Sequence, residues 1–201
     1  MSSASPQNDP RWAALFGEGL ACSCGERHVG LLDLTFITPS GWSGSTEYEP
    51  NEALRYDGDF LSPEYCVREG KYFGIRALLP LPVKDLSPPA AVLAVWASVD
   101  RADFEQLVAD PRPERTDPPR NFPARLVSRI GGYPEMIGLM GHAFPQVDAP
   151  PLLVLSAPPP GAPTPPGAMV HPLITEHRKG ATLDRLFEVY AANGHDMRGS
   201  A

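Results

Sequence analysis

"EYCVREGKYFGIRALLPLPV", residues 64–83, is the stretch whose reading decides the fold. It divides at Glu69-Gly70 into two halves rich in branched and aromatic residues, and the glycine accepts the positive φ that a tight hairpin turn demands. Downstream, "AAVLAVWASV" (90–99) is a nearly continuous apolar run, the pattern of a strand buried on both faces. Directly after it, "DRADFEQLVAD" sets Phe104, Leu107 and Val108 at helical spacing, with Ser98 or Asp100 available as cap, which predicts a helix over 100–109.

"DPRPERTDPPRN" (110–121) then breaks regular structure with its prolines, and "FPARLVSRI", "MIGLMGHAF" and "PLLVLSA" read as three further strands. The proline-rich 158–167 can only be an exposed connector. Beyond it, "MVHPLITEHRKG" and "TLDRLFEVYAANG" are helical. The second carries Leu183, Leu186, Phe187 and Tyr190 as one stripe, Thr182 as cap and Gly194 as stop.

Upstream of the hairpin, "LLDLTFIT" (31–38) predicts a strand, and "PRWAALFGEGL" (10–20) a short helix. The acidic connection 39–59 is long for a structureless loop and has room for one helical turn. Strands in the middle with helices after them predict an α+β class: a single domain, mainly antiparallel sheet, with a mid-chain helix and C-terminal helices. Its expected bounds are an extension at 1–19, the domain at 20–194 and a tail at 195–201.

A chain of 201 residues, 42% hydrophobic and 20% charged, has the balance of a globular domain despite 25 prolines. Its net charge of −7 repels polyanions, which argues against a nucleic-acid partner. No apolar run approaches the roughly 20 residues a membrane span needs, and no export segment stands at the N-terminus, so a cytoplasmic protein is expected. In that reducing compartment an odd set of three cysteines is no disulfide framework.

Those cysteines carry the most specific chemistry in the sequence. In "ACSCGERHVG" (21–30), Cys22, Cys24 and His28 supply three zinc-type ligands within seven residues, and Gly25 lets the backbone turn beneath them. Cys66 is the remaining cysteine and the natural fourth ligand, giving a Cys₃His candidate site of Cys22, Cys24, His28 and Cys66. A closed set of that kind leaves no position for water, so the cofactor expected is a structural zinc and no other. Two other readings stay open. The knuckle is a turn with Cys66 as a small buried hydrophobe, or Cys22 and Cys24 are a metal-free redox pair.

Catalytic signatures are sparse. "GWSGS" (41–45) lacks the glycine a nucleophile elbow requires after its serine, and no phosphate-binding loop is present. The alternative to a non-catalytic protein is a hydrolase or transferase whose site gathers His142, His171 and Glu176, with Cys24 as a further member. Pro172 marks a helix start with His171 at its cap, and His195 falls in the expected tail. Glu47, Glu49, Glu52, Asp57, Asp59 and Glu64 form an acidic surface that suits a basic protein partner.

Four blocks in fixed order carry a family resemblance: the cysteine knuckle followed by "GL", the 64–83 hairpin, "VWASVDRADFEQL" and "HPLITEHRKG". Over roughly residues 20–190 the chain resembles a bacterial family known as domain of unknown function 2199. The resemblance implies a cysteine-and-glycine knuckle with a following histidine. It also implies a further cysteine or a wider gap where this chain has only Ser23. Together these readings predict a small bacterial binding or interaction protein without catalysis, with an immunity or regulatory role suited to its acidity.

Overall fold

The computed structural model describes residues 6–86, 88, 90–109, 120–156 and 170–198. The expected proline-rich connector at 158–167 lies outside them. In chain order the elements are helix α1 (Pro10–Phe16), strands β1 (Leu20–Ala21), β2 (Arg27–His28), β3 (Leu34–Thr35), β4 (Phe60–Leu61), β5 (Tyr65–Arg68), β6 (Tyr72–Pro82) and β7 (Ala90–Val99), then helix α2 (Arg101–Ala109). Strands β8 (Phe122–Leu126), β9 (Met140–Gln146) and β10 (Ala149–Leu155) follow, then helices α3 (Pro172–Lys179) and α4 (Leu183–Ala192). This is the α+β domain with a largely antiparallel sheet that the pattern of elements predicts.

The 64–83 hairpin organises the whole. Glu69 and Gly70 both take positive φ, 54° and 64°, as the central pair of a primed turn does, and with Arg68 paired to Tyr72 the loop holds Glu69, Gly70 and Lys71. Strand β6 then runs beside β7 in ten-residue register, from Phe73 opposite Val99 to Pro82 opposite Ala90. From β7 the sheet continues antiparallel through β8, β9 and β10, and β10 returns to β6 in parallel at Leu152–Leu78. Five strands thereby close a small barrel, while β5 and β4 extend the sheet past the first half of β6.

Alternation along β6 and β7 separates two apolar regions. Ile75, Ala77, Leu79, Leu93, Val95 and Ala97 point into the main core with residues from all four helices. On the opposite face Trp96 packs with Leu61 and Cys66 in a second cluster. The run 90–99 is thus covered on both sides at its Trp96 end. Helix α4 buries Leu183, Leu186, Phe187, Val189 and Tyr190, each contributing about 1.5–3 kcal/mol by leaving water.

Three strands are shorter than their sequence patterns predict, and the first of these is β8, which stops at Leu126 where the pattern runs on to Ile130. The ladder between β3 and β7 ends because the carbonyls of Phe36 and Ile37 turn to side-chain donors. Phe36 O accepts from Trp96 Nε1 at 2.9 Å and from Arg76 at 2.8 Å, and Ile37 O accepts from both as well. Strand β9 begins only at Met140, since Met136–Leu139 close a turn through Leu139 N–H to Met136 O and Gly138 at φ 89°. The long acidic connection contains a single 3₁₀ turn at Asn51–Ala53, where one helical turn is expected.

Candidate metal centre

Strands β1 and β2 form a small hairpin, pairing Leu20 with His28 and Ala21 with Arg27. Its loop follows from its residues. Gly25 N–H donates to Cys22 O at 3.0 Å and Cys22 N–H to Glu26 O at 2.9 Å, while Gly25 takes φ 91°. This is a three-residue loop closed by a glycine bulge, and a β-carbon at that φ is strained. The loop sets Cys22 and Cys24 at the first and third turn positions, with Cys24 N–H directed at Cys22 Sγ (3.5 Å). His28, at the end of β2, brings Nε2 to 3.3 Å from Cys24 Sγ.

The fourth member arrives from the far end of the chain. Helix α4 stops at Asn193, Gly194 takes φ 91°, and His195 N–H donates back to Tyr190 O at 2.9 Å. The chain thereby reverses onto the hairpin, with Met197 buried beyond it. Ser23, the single residue between the two cysteines, clips the segments together. Its N–H donates to Asp196 O at 2.9 Å, and its hydroxyl accepts from Asp196 N–H at 3.0 Å and donates to Gly194 O at 3.4 Å. His195 Nδ1 then lies 3.8 Å from Cys22 Sγ, and the His28 and His195 rings meet edge to face at 5.4 Å.

Among the described residues, Cys22, Cys24, His28 and His195 form a group whose ligand atoms all lie within 4.8 Å of one another. Bonds of about 2.3 Å to sulfur and about 2.0–2.1 Å to nitrogen, opened to the tetrahedral angle, set ligand atoms about 3.3–3.8 Å apart. Two sulfur–nitrogen separations, 3.3 and 3.8 Å, bracket the sulfur–nitrogen edge of about 3.5 Å that those bonds give. The Cys24 thiol is drawn down by the Glu26 backbone amide and up by the neighbouring Cys22 sulfur, with a net rise. A divalent cation between the sulfurs reverses that balance, because coordination deprotonates the thiol.

His195 stands in this group where the sequence suggests Cys66. Cys66 lies on β5, fully buried with Leu61 and Trp96, and burial pushes its thiol up to about 12. A thiol held neutral against apolar neighbours is no metal ligand. Spacing along the chain misses His195 because 173 residues separate it from Cys22. The available signal is the glycine stop at Gly194, which turns the chain back just before the histidine.

The residues of the enzymatic alternative hold other posts. His171 caps α3, its Nδ1 accepting from Leu173 N–H at 3.1 Å. Glu176 on that helix accepts from Tyr133 at 2.5 Å and pairs with Arg185 of α4 at 3.1 Å. His142 sits half-buried on β9, opposite Pro123 and Val154. The described residues place these three in no cluster with one another or with Cys24 of the kind the knuckle makes.

A cavity of about 510 Å³ opens elsewhere, between β5, β6, α2 and the β9–β10 turn, with Glu64, Tyr65, Arg76, Leu107 and Asp148 in its wall. Arg76 is spent on the carbonyls of Pro63, Phe36 and Ile37 and on the Tyr48 hydroxyl, and stacks over Trp96 at 4.5 Å. Its positive charge stays beside the carboxylates of Glu64 and Asp148, so the lining carries one net negative charge. No helix among the described residues is long and apolar enough to cross a membrane.

A family model described as "Uncharacterized protein conserved in bacteria (DUF2199)" matches residues 21–158. No curated protein and no solved structure matches the chain. The matched span holds Cys22, Cys24 and His28, and His195 lies beyond it. With well over half of its length matched, the chain belongs to this bacterial family.

Proposed function

We propose that this family member is a non-catalytic binding protein whose two chain ends are fastened by one structural zinc ion, held by Cys22, Cys24, His28 and His195. The observation that supports this reading is the gathering of two thiols and two imidazoles with their ligand atoms within 4.8 Å of one another, two of the sulfur–nitrogen separations being 3.3 and 3.8 Å. Four protein ligands leave no coordination position for water or substrate, so the ion's work is to hold structure. The softness of two thiolates with two imidazoles favours zinc over magnesium or calcium, which select oxygen.

The partner in this reading is a basic protein. Net charge of −7 steers cationic surfaces toward the molecule, and Glu64 and Asp148 at the cavity give them a local target. An immunity or regulatory role, in which the protein covers a cationic toxin or nucleic-acid enzyme, fits that charge. Metal analysis of protein purified without added chelator should return one zinc per chain, and His195→Ala should lose it. Protein purified from zinc-supplemented cells with no metal bound would refute the reading. For the partner, pulldown with the wild-type chain should return a basic protein that a Glu64→Lys/Asp148→Lys variant no longer holds; equal capture by both would overturn the acidic-face assignment.

A further inference from the structure

The zinc reading explains why two thiols and two imidazoles meet, but not why one thiol of the group is left open to solvent. Cys24 is exposed at the tip of the loop, while Cys22, His28 and His195 are half-buried. Structural zinc sites gain by shielding their sulfurs, and an accessible thiolate is the one that oxidants reach. The two sulfurs belong to the group whose ligand atoms lie within 4.8 Å, and the Cys22–Gly25 turn draws their backbones together. Cys66 is fully buried in another cluster, so each knuckle sulfur has the other as its oxidation partner.

We infer that Cys22 and Cys24 form a peroxide-sensitive catch on the zinc site: oxidation joins the two sulfurs, expels the ion and frees His195 from the hairpin. This rests on the zinc reading. The oxidant is a peroxide. The Cys24 thiolate attacks one peroxide oxygen, the O–O bond breaks, and the departing hydroxide takes a proton from solvent to become water. The Cys22 thiolate then attacks the resulting sulfenic sulfur, the S–S bond forms, and the S–O bond breaks to release a second hydroxide, which is likewise protonated. Two thiolates have lost two electrons and one peroxide has become two waters.

A disulfide has no charge with which to hold zinc, and two imidazoles alone complete only half the coordination shell. The ring closed by cysteines one residue apart is small, so thiol reductants reopen it readily and the catch resets. Release also removes the ionic tie between hairpin and C-terminal segment. The Ser23 hydrogen bonds to Gly194 and Asp196 still join the two, so the segment loosens without the barrel unfolding.

The test uses the zinc-loaded full chain exposed to hydrogen peroxide, with a chromogenic chelator reporting free zinc and intact mass and peptide mapping reporting the sulfurs. The expected result is complete zinc loss in step with a Cys22–Cys24 disulfide, reversed by dithiothreitol plus zinc and unchanged in Cys66→Ala. Zinc that stays bound, or leaves only as sulfinic acid accumulates without a disulfide, overturns the catch while the zinc site stands. A chain that never binds zinc overturns both.

Discussion

The molecule keeps its cysteines in two settings that differ in every physical respect. Cys22 and Cys24 sit on a short exposed loop whose backbone is held by turn hydrogen bonds, beside two imidazoles. Cys66 sits on a strand inside the sheet, pressed against Leu61 and Trp96, where burial holds its thiol neutral. The same side chain stands among candidate ligands in one place and is a packing group in the other. Local dielectric and the neighbours supplied by the fold decide which, and the residue's identity does not.

That contrast can be broken from either side. The largest effect belongs to the packed side: Trp96→Ala leaves a void over Cys66 and should cost about 3–5 kcal/mol in denaturant unfolding, with zinc stoichiometry unchanged in the folded fraction. Stripping zinc with a chelator acts on the other side. For a holoprotein held at free zinc about 100-fold above its dissociation constant, the loss is about 2.7 kcal/mol, read as a lowered Tm. Cys66→Ala should cost about 1–2 kcal/mol and leave zinc in place, whereas Cys24→Ser should lose the zinc.

The smallest of these effects is at Ser23. Ser23→Ala removes the hydroxyl contacts to Gly194 and Asp196 and should cost about 0.5–1.5 kcal/mol, with zinc still bound but released faster to a competing chelator. Thiol labelling sharpens the same comparison without mutation. Because the Cys66 thiol is pushed up to about 12, it stays neutral and unlabelled at neutral pH, while zinc-stripped Cys22 and Cys24 react; labelling of Cys66 in the native protein would contradict its placement.

How much of this was legible in the sequence divides along local and distant lines. The primed turn at Glu69-Gly70, the Thr182 cap, the α4 stripe and the His171 cap each depend on residues within a few positions, and the α+β class follows from their order. The pattern of β3 runs past the strand because its alternation continues through Ile37, while Arg76 and Trp96, far along the chain, claim the Phe36 and Ile37 carbonyls. The hairpin half of the site is readable for the same local reason, in Cys-Ser-Cys-Gly and the histidine after it. Its fourth member is not. Counting cysteines selects Cys66, but alternation on β5 sends that side chain to the Trp96 face, and the reversal at Gly194 brings in His195.

The central claim, that His195 and not Cys66 completes the site, is tested most directly by X-ray absorption at the zinc edge of the purified chain. The first shell should contain two sulfurs at about 2.3 Å and two nitrogens at about 2.0–2.1 Å. A shell of three sulfurs and one nitrogen would return the fourth position to Cys66 and contradict the account.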